Sequence, residues 1–285
     1  MVPIAPTRRT LDRIASLKRS GKITGGKFPF RTERWPAVRG FRSVSSGISR
    51  AKQGRPSLCA VETARSGRVV IFDFDGTLAD TWRDLASALN RTLDDAGLPA
   101  VTGPQVKAGI GDGALKLLAM SLPEAERAPE RLEAHYERFR AHYDRCCLDT
   151  TDLYPGMADC LDALSGETLA VLSNKPVRFL DRIIEGLGLE SIFGAVLGGD
   201  TLSIRKPDPA VLVHVLDRLG RRSAEVWMVG DSAVDVETGL AAGARTIGCG
   251  WGLRGREELL AAGAEFLLEH PREIAATVLG QKERA

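Results

Sequence analysis

The chain has 285 residues, and 44% of them are hydrophobic, which is enough for one large domain or two smaller ones with buried cores. No apolar run reaches the roughly 18 residues that a membrane-spanning helix needs, so the sequence predicts no membrane partner. The five cysteines are odd in number and include no CxxC pair, which argues against a disulfide framework and favours reduced thiols.

The formal net charge of +2 conceals a basic segment joined to an acidic body. Residues 1–67 hold 15 Lys and Arg against 3 Asp and Glu, whereas residues 68–285 hold 24 against 34. We predict that residues 1–67 are a disordered N-terminal extension, because they show no sustained hydrophobic period. Three interpretations stay open: an organelle transit peptide, a translation start placed too far upstream, and a nucleic-acid-binding arm. The arm is the least favoured, since aromatic residues are sparse and no binding module is visible.

The first regular element is a strand that runs straight into two carboxylates. Residues 68–74 read RVVIFDF, and Asp73 and Asp75 are followed by a Gly-Thr turn. A run that is apolar on both faces indicates a strand buried on both sides of a sheet. Two carboxylates at its end repel each other, so the sequence predicts a positively charged partner at this point.

Between Thr81 and Thr151 only helical patterns are visible, and we predict helices over 82–96, 105–120 and 123–146. The sequence therefore predicts a helical domain over residues 81–151, inserted into a core domain made of residues 68–80 and 152–285. His135 and His142 lie seven residues apart on the third helix, next to Tyr136 and Tyr143, and we interpret all four as packing and surface residues rather than a metal site.

After residue 152, short apolar runs alternate with amphipathic ones. We predict strands at 168–173, 193–199, 225–231, 245–250 and 265–269. Helices are predicted between and after them, at 157–164, 177–187, 209–219, 234–242 and 256–262. This alternation predicts an α/β fold with a doubly wound parallel sheet that is covered by helices on both faces.

A set of polar residues follows the ends of these predicted strands: Asp73, Asp75, Ser173, Asn174, Lys206, Asp231 and Asp235. Sites in parallel sheets lie beyond the carboxyl ends of the strands, so we expect these residues to meet. Several carboxylates in one place need a cation, and a set of oxygen ligands without His or Cys suits Mg²⁺. Taken singly, the DxD pair also fits a turn and GDSAVD also fits a helix cap.

A phosphoryl group accounts for the remaining members of the set. Its negative charge needs a cation and hydrogen-bond donors, which Lys206, Ser173 and Asn174 supply. Asp73 can attack phosphorus and form an aspartyl-phosphate. Asp75 can protonate the leaving alcohol and then activate water. We therefore predict Mg²⁺-dependent hydrolysis of a small phosphate monoester.

Four motifs resemble those of the haloacid dehalogenase superfamily of phosphatases and occur in the same order: DFDGTLADT (73–81), LSNKP (172–176), RKPDP (205–209) and GDSAVD (230–235). The resemblance implies a doubly wound parallel sheet, a small all-helical cap after the first strand, and Mg²⁺ as cofactor. It implies Asp73 as nucleophile and metal ligand, Asp75 as acid/base and metal ligand through its carbonyl, and Asp231 as the third metal ligand, supported by Asp235. Substrate binding is expected from Thr77, Ser173, Asn174, Lys175, Gly111 and Gly113, with Lys206 neutralising the phosphoryl charge.

Within the superfamily the chain most resembles the phosphoglycolate phosphatases, through SNKP (173–176), LYPG (153–156) and GIGDGALKLL (109–118). This implies 2-phosphoglycolate as substrate, and the glycines of GIGDG let backbone N–H groups approach its carboxylate. The alternative interpretation of GIGDG is a loop that only joins two helices of the cap. Lys116 is a further candidate partner for that carboxylate. Related enzymes acting on pyrophosphate, a nucleoside monophosphate or a sugar phosphate share the core motifs and stay as alternatives. A binding protein with this fold and a nucleic-acid-binding arm is the alternative outside enzymes.

The expected location is the cytoplasm, or an organelle if residues 1–67 are a transit peptide. The sequence gives no indication of the oligomeric state.

Overall fold

The computed structural model of the chain describes residues 67–222 and 224–280. The predicted N-terminal extension, apart from Gly67, lies outside the described residues. Its three interpretations therefore stay predictions. The strands of the described part are β1 (Arg68–Phe72), β2 (Ala79–Asp80), β3 (Asp152–Leu153), β4 (Thr168–Leu172), β5 (Ala195–Leu197), β6 (Glu225–Gly230), β7 (Arg245–Cys249) and β8 (Phe266–Leu268).

The helices between and after these strands are α1 (Trp82–Asp95), α2 (Gly103–Gly109), α3 (Ala114–Ser121), α4 (Pro129–Cys146), α5 (Met157–Ala163), α6 (Val177–Gly186), α7 (Ala210–Leu219), α8 (Ala233–Ala241), α9 (Arg256–Ala261) and α10 (Arg272–Leu279). One 3₁₀ turn, Glu124–Glu126, precedes α4. None of the helices in the described part is long and apolar enough to cross a membrane.

Six parallel strands form one sheet in the order β5-β4-β1-β6-β7-β8, with β1 between β4 and β6. Because side chains alternate along a strand, Val70 and Phe72 enter one apolar cluster while Val69 and Ile71 enter another on the opposite face. Helix α7 packs into the second cluster, and α5, α6 and α10 pack into the first. Helices therefore cover both faces, and the predicted fold class is confirmed.

Helices α1 to α4 lie between β2 and β3, which pair antiparallel as a two-residue ribbon. The buried carboxylate of Asp84, at the start of α1, accepts hydrogen bonds from the backbone N–H and hydroxyl groups of Thr150 and Thr151, at 2.6–3.1 Å. The two ends of the helical insertion are thus held side by side. Its apolar residues join the first cluster of the sheet, so the predicted domain boundaries at 68–80, 81–151 and 152–285 stay a prediction.

The predicted helix over 105–120 is wrong in one respect, because the structure divides it into α2 and α3. Gly111 and Gly113 have φ values of 111° and 96°, which no helix contains, and the chain turns between them. The third predicted helix begins only at Pro129, after the 3₁₀ turn. The ribbon formed by β2 and β3 and the C-terminal helix α10 were not predicted.

Candidate active site

Asp73 follows β1 directly, and its backbone N–H donates to the carbonyl of Val229 in β6 at 2.9 Å. Its side chain is almost fully buried. Asp73, Asp231 and Asp235 each place one carboxylate oxygen within 4.8 Å of the other two. Asp231 follows β6, and Asp235 lies in the first turn of α8. Two adjacent strands thus bring three carboxylates together, as the spacing along the sequence predicts.

Lys206 places its ammonium between two of these carboxylates. Its Nζ lies 2.9 Å from Oδ1 of Asp73 and 2.5 Å from Oδ1 of Asp235, and the side chain is buried. Burial alone would lower the pKa of Lys206, but the Coulombic attraction of Asp235 and Asp73 outweighs it and raises the pKa above its usual value. The lysine is therefore a permanent cation at this point.

Burial and the neighbouring negative charges raise the pKa values of two carboxyl groups at the sheet edge. Burial, together with the charges of Asp235 and Asp75, raises the pKa of Asp73 to about 6 even though Lys206 opposes the shift. Burial and the charges of Asp235 and Asp73 raise the pKa of Asp231 well above its ordinary value. Both carboxylates would be stabilised by another cation.

The donor set fits a divalent cation with a preference for oxygen. Oδ1 of Asp73 is buried and lies beside Lys206, but in the described part of the chain it has no hydrogen-bond partner with suitable geometry. Both oxygens of Asp235 are engaged, by Lys206 and by the N–H and hydroxyl groups of Ser232. Oδ2 of Asp231 accepts from the N–H of Leu253, but its Oδ1 has a weak contact, 3.4 Å from the Thr77 hydroxyl. Asp73 and Asp231 therefore each keep one oxygen with capacity for a metal, and Asp235 is placed to support them.

The net charge of the site and the close packing of the backbone around Asp231 also favour a divalent cation here. Four buried carboxylates, including that of Asp75, face two buried ammonium groups, those of Lys175 and Lys206, which leaves two negative charges for one divalent ion. A Cβ at Gly76 or Gly252 would come within 2.2 Å of Asp231 atoms, so both glycines let the backbone close around this carboxylate.

Asp75 faces a different set of partners. Its Oδ1 accepts hydrogen bonds from the Thr81 hydroxyl at 2.6 Å and from the Lys175 ammonium at 2.9 Å. The same ammonium donates to the Tyr143 hydroxyl of α4 at 2.7 Å. Lys175 therefore joins the second aspartate to the helical insertion.

The predicted phosphoryl-binding residues differ in what their side chains contact. Asn174 donates to the carbonyl of Gly111 at 3.0 Å and holds the backbone of Lys206 through both ends of its amide. The Ser173 hydroxyl accepts a long hydrogen bond, 3.4 Å, from the N–H of Lys175. Thr77 is fully buried, and its hydroxyl lies 3.4 Å from Oδ1 of Asp231. Thr77 and Asn174 thus contact neighbouring site residues directly.

A cavity of about 30 Å³ lies between the strand ends and the helical insertion. Site residues that line it are Asp73, Asp75, Gly111, Gly113, Ser173 and Lys175. Apolar side chains of α1, α3, α4 and α6 complete its wall, and Tyr143 lies among them. The structure thus brings together groups from both parts of the chain around one small space.

Lys116 does not line this cavity. It is more than half exposed and pairs with Asp112 at 2.7 Å. His135 is buried against Glu126, and His142 pairs with Asp95, which agrees with their interpretation as packing and surface residues.

Sequence reasoning missed Tyr143, Thr81 and the N–H of Leu253, which donates to Asp231 at 2.7 Å. A tyrosine in an amphipathic helix is typical of a packed core, and a backbone donor carries no residue signal. Only the position of Thr81 at the end of the first motif could have indicated it.

The sequence model of the haloacid dehalogenase-like hydrolases matches residues 70–249, which include every residue of this site except those near position 253. The chain belongs to this family, and it is a hydrolase. The resemblance drawn from the four motifs is confirmed.

Relatives and solved structures agree with this assignment. The phosphoglycolate phosphatase of Rhodospirillum rubrum is 40% identical over 205 residues, which are 69% of this chain and 85% of the relative. That of Psychrobacter arcticus is 36% identical over 193 residues, covering 65% and 84%. The crystal structure of a predicted phosphoglycolate phosphatase from Haemophilus somnus superposes with a TM-score of 0.68 at 26% identity, covering 73% of this chain and 96% of that one.

Proposed function

We propose that the protein hydrolyses the phosphate monoester of 2-phosphoglycolate, with Mg²⁺ as cofactor and a phosphorylated Asp73 as intermediate. The observation that carries the proposal is the carboxylate of Asp73, which is buried beside Lys206 and within 4.8 Å of oxygens of Asp231 and Asp235. A buried carboxylate next to a fixed cation suits attack on a dianionic phosphoryl group.

Asp73, Asp231 and the backbone carbonyl of Asp75 are the groups that would hold Mg²⁺. When bound, the ion would neutralise charge on the phosphoryl oxygens and keep Asp73 ionised. Asp235 would stay with Lys206 and Ser232 and hold both in place.

The reaction would take place in two steps on the side chains of this chain. In the first, an oxygen of Asp73 attacks phosphorus, the bond to the substrate oxygen breaks, and Asp75 donates a proton to the leaving alkoxide. In the second, Asp75 takes a proton from water, the water oxygen attacks phosphorus, and the bond to Asp73 breaks to release phosphate. Lys206 and the donors near Ser173 stabilise the phosphoryl charge throughout.

Two observations support a small acidic substrate. The relatives reported above are phosphoglycolate phosphatases. The cavity is lined by Lys175, a buried cation beside Asp75 and separate from Lys206, which suits a substrate with a second negative group.

We also propose that the helical insertion acts as a cap. Loop residues Gly111 and Gly113 line the cavity, and Asn174 bonds to the Gly111 carbonyl, so the insertion closes over the strand ends. Opening would admit substrate and release product, and closure would exclude bulk water from the aspartyl-phosphate.

Release of inorganic phosphate from a substrate panel tests the proposal. The panel contains 2-phosphoglycolate, pyrophosphate, a nucleoside monophosphate and a sugar phosphate, each with Mg²⁺ and with a chelator. We expect Mg²⁺-dependent turnover with the highest kcat/KM on 2-phosphoglycolate. A higher value on another compound would transfer the assignment to that substrate, and no turnover on any would contradict the enzymatic proposal.

The alternative function, nucleic-acid binding through the basic extension, is tested on the same preparation. Salt-dependent binding to nucleic acid that disappears on deletion of residues 1–66 would support it. We expect that this deletion leaves kcat on 2-phosphoglycolate within about twofold, because all proposed catalytic groups follow residue 67.

A further inference from the structure

The cavity is lined by one cation, Lys175, which is distinct from Lys206, and a residue of the helical insertion sets its position. Nζ of Lys175 lies 2.7 Å from the Tyr143 hydroxyl and 2.9 Å from Oδ1 of Asp75. Among the described residues, the third N–H of the ammonium has only Oδ2 of Asp75 as acceptor, at 3.3 Å. That contact is long, so a better acceptor in the cavity would replace it.

Tyr143 is held rigidly where it meets the ammonium. Its ring stacks on Phe139 at 5.7 Å and meets Phe179 edge-on at 4.8 Å, and the side chain is 1% exposed. Lys175 also lies 4.6 Å from the centre of this ring. A lysine side chain is flexible, and these contacts remove most of its freedom before any ligand binds.

The O–H group of Tyr143 is available to donate a hydrogen bond to a ligand. Its oxygen accepts from Lys175, and within the described ranges, 67–222 and 224–280, no protein group is within hydrogen-bond reach to accept its proton. Burial, and next the charge of Asp75, raise the pKa of Tyr143 well above 10, so the hydroxyl stays protonated. Both Tyr143 and Lys175 line the cavity that also contains Asp73.

We propose that the Tyr143 hydroxyl and the Lys175 ammonium together form the subsite for the substrate's carboxylate, at the end of the cavity opposite the phosphoryl group. Two donors on neighbouring atoms match the two oxygens of a carboxylate. Tyr143 is thereby a specificity-determining residue supplied by the insertion. This inference rests on the proposed function, since it assigns the group that binds the non-phosphoryl end of 2-phosphoglycolate.

The glycine loop is the competing location for the carboxylate. Lys116 does not reach the cavity, but Gly111 and Gly113 line it and could offer backbone N–H groups. The two locations are distinguished by a change at Tyr143, because such a change leaves the loop intact.

The test compares 2-phosphoglycolate with 2-hydroxyethyl phosphate, which has the same phosphoryl end and a CH₂OH group in place of the carboxylate. Wild type, Tyr143→Phe and the control Tyr136→Phe are assayed on both compounds. Tyr136 is on the same helix, two turns earlier, and does not line the cavity. The phenylalanine at position 143 preserves the ring contacts, and thermal unfolding of each variant checks the fold.

We expect Tyr143→Phe to lower kcat/KM on 2-phosphoglycolate about tenfold to a hundredfold, the usual cost of a lost hydrogen bond to a charged group. Its activity on 2-hydroxyethyl phosphate and its inhibition by inorganic phosphate should stay within about twofold of wild type, as should both activities of Tyr136→Phe.

Two results would overturn the inference. If wild type prefers 2-phosphoglycolate and Tyr143→Phe retains that preference, or loses both activities equally, the subsite is elsewhere while the proposed function stands. If wild type itself shows no preference for the carboxylate-bearing ester, the proposed substrate fails, and the inference fails with it.

Discussion

Asn174 holds the backbone of Lys206 at both of its polar groups. Its amide nitrogen donates to the carbonyl of Lys206 at 3.2 Å, and its Oδ1 accepts from the N–H of Lys206 at 3.1 Å. The two residues follow different strands, β4 and β5. Since the same amide also reaches Gly111, one side chain fixes both the buried lysine and the loop of the insertion.

We therefore expect Asn174→Ala to lower kcat about tenfold to a hundredfold by letting Lys206 move from the phosphoryl position. The control is Asn90→Ala, because Asn90 holds the backbone of Val101 in the same two-sided way, at 2.8 and 3.2 Å, within the insertion. Both variants should lose about 1–3 kcal/mol in the free energy of unfolding, since each leaves backbone groups without partners. Equal losses of kcat in the two variants would contradict a specific role for Asn174.

Asp73→Asn should lower phosphate release by at least about 10⁴-fold, because an amide is not a nucleophile toward phosphorus. The fold should be retained, as the change removes one of several buried negative charges. Phosphate release and urea unfolding check the two statements. Near-wild-type turnover would refute the assignment of the nucleophile.

Asp75→Asn should slow both steps, because the side chain can no longer donate or accept the transferred proton. We expect kcat to fall about 10²- to 10⁴-fold, the typical contribution of a general acid or base. Mass spectrometry of the protein quenched during turnover should show phosphorylated Asp73 in this variant and none in Asp73→Asn. An unchanged kcat would show that another group transfers the proton.

Lys206→Met should abolish activity and destabilise the metal-free protein by about 3–5 kcal/mol, since Asp73 and Asp235 lose the buried cation they share. Arg205→Met is the matched control, because Arg205 is the adjacent residue and is exposed. That variant should stay within about 0.5 kcal/mol of wild type. Urea unfolding in a chelator measures both. Similar losses in the two variants would show that the buried ion pairs matter little.

The raised pKa of Asp73 predicts how Mg²⁺ binding depends on pH. With a pKa of about 6 in the folded protein against 3.8 as the reference, the group favours folding at low pH, and this contribution is lost as the pH rises through 6. Mg²⁺ needs the ionised form, so its affinity should fall up to about tenfold per pH unit below 6. The increase in Tm caused by Mg²⁺ should therefore be larger at pH 7.5 than at pH 5. An equal increase at both, or the same pH dependence in Asp73→Asn, would contradict this.

Much of the fold and of the site could be predicted because strand ends in a parallel sheet meet at one edge. Asp73 and Asp231 follow from that rule alone, since each comes directly after a buried strand. The division of 105–120 at Gly111 and Gly113 is not indicated by periodicity, because the apolar spacing continues across the break, and only the glycines of GIGDG indicated a loop there. It depends on backbone angles that only the glycines permit.

Contacts between the insertion and the sheet could not be predicted from the sequence. Tyr143 meets Lys175 across 32 residues, and no local pattern relates the two. Asp84 looks like an ordinary charge in the first turn of a helix, yet it is buried and binds Thr150 and Thr151. Such pairings arise from tertiary packing, which a single sequence does not display.

The pairing of β2 with β3 has an evolutionary consequence. The chain leaves the sheet at Asp80 and returns at Asp152, directly opposite, so a segment of any size can be exchanged there without shifting the register of β1 against β4 or β6. New substrates can then be acquired by remodelling one continuous stretch of sequence, while the aspartates at the strand ends, which we propose carry out the chemistry, keep their places.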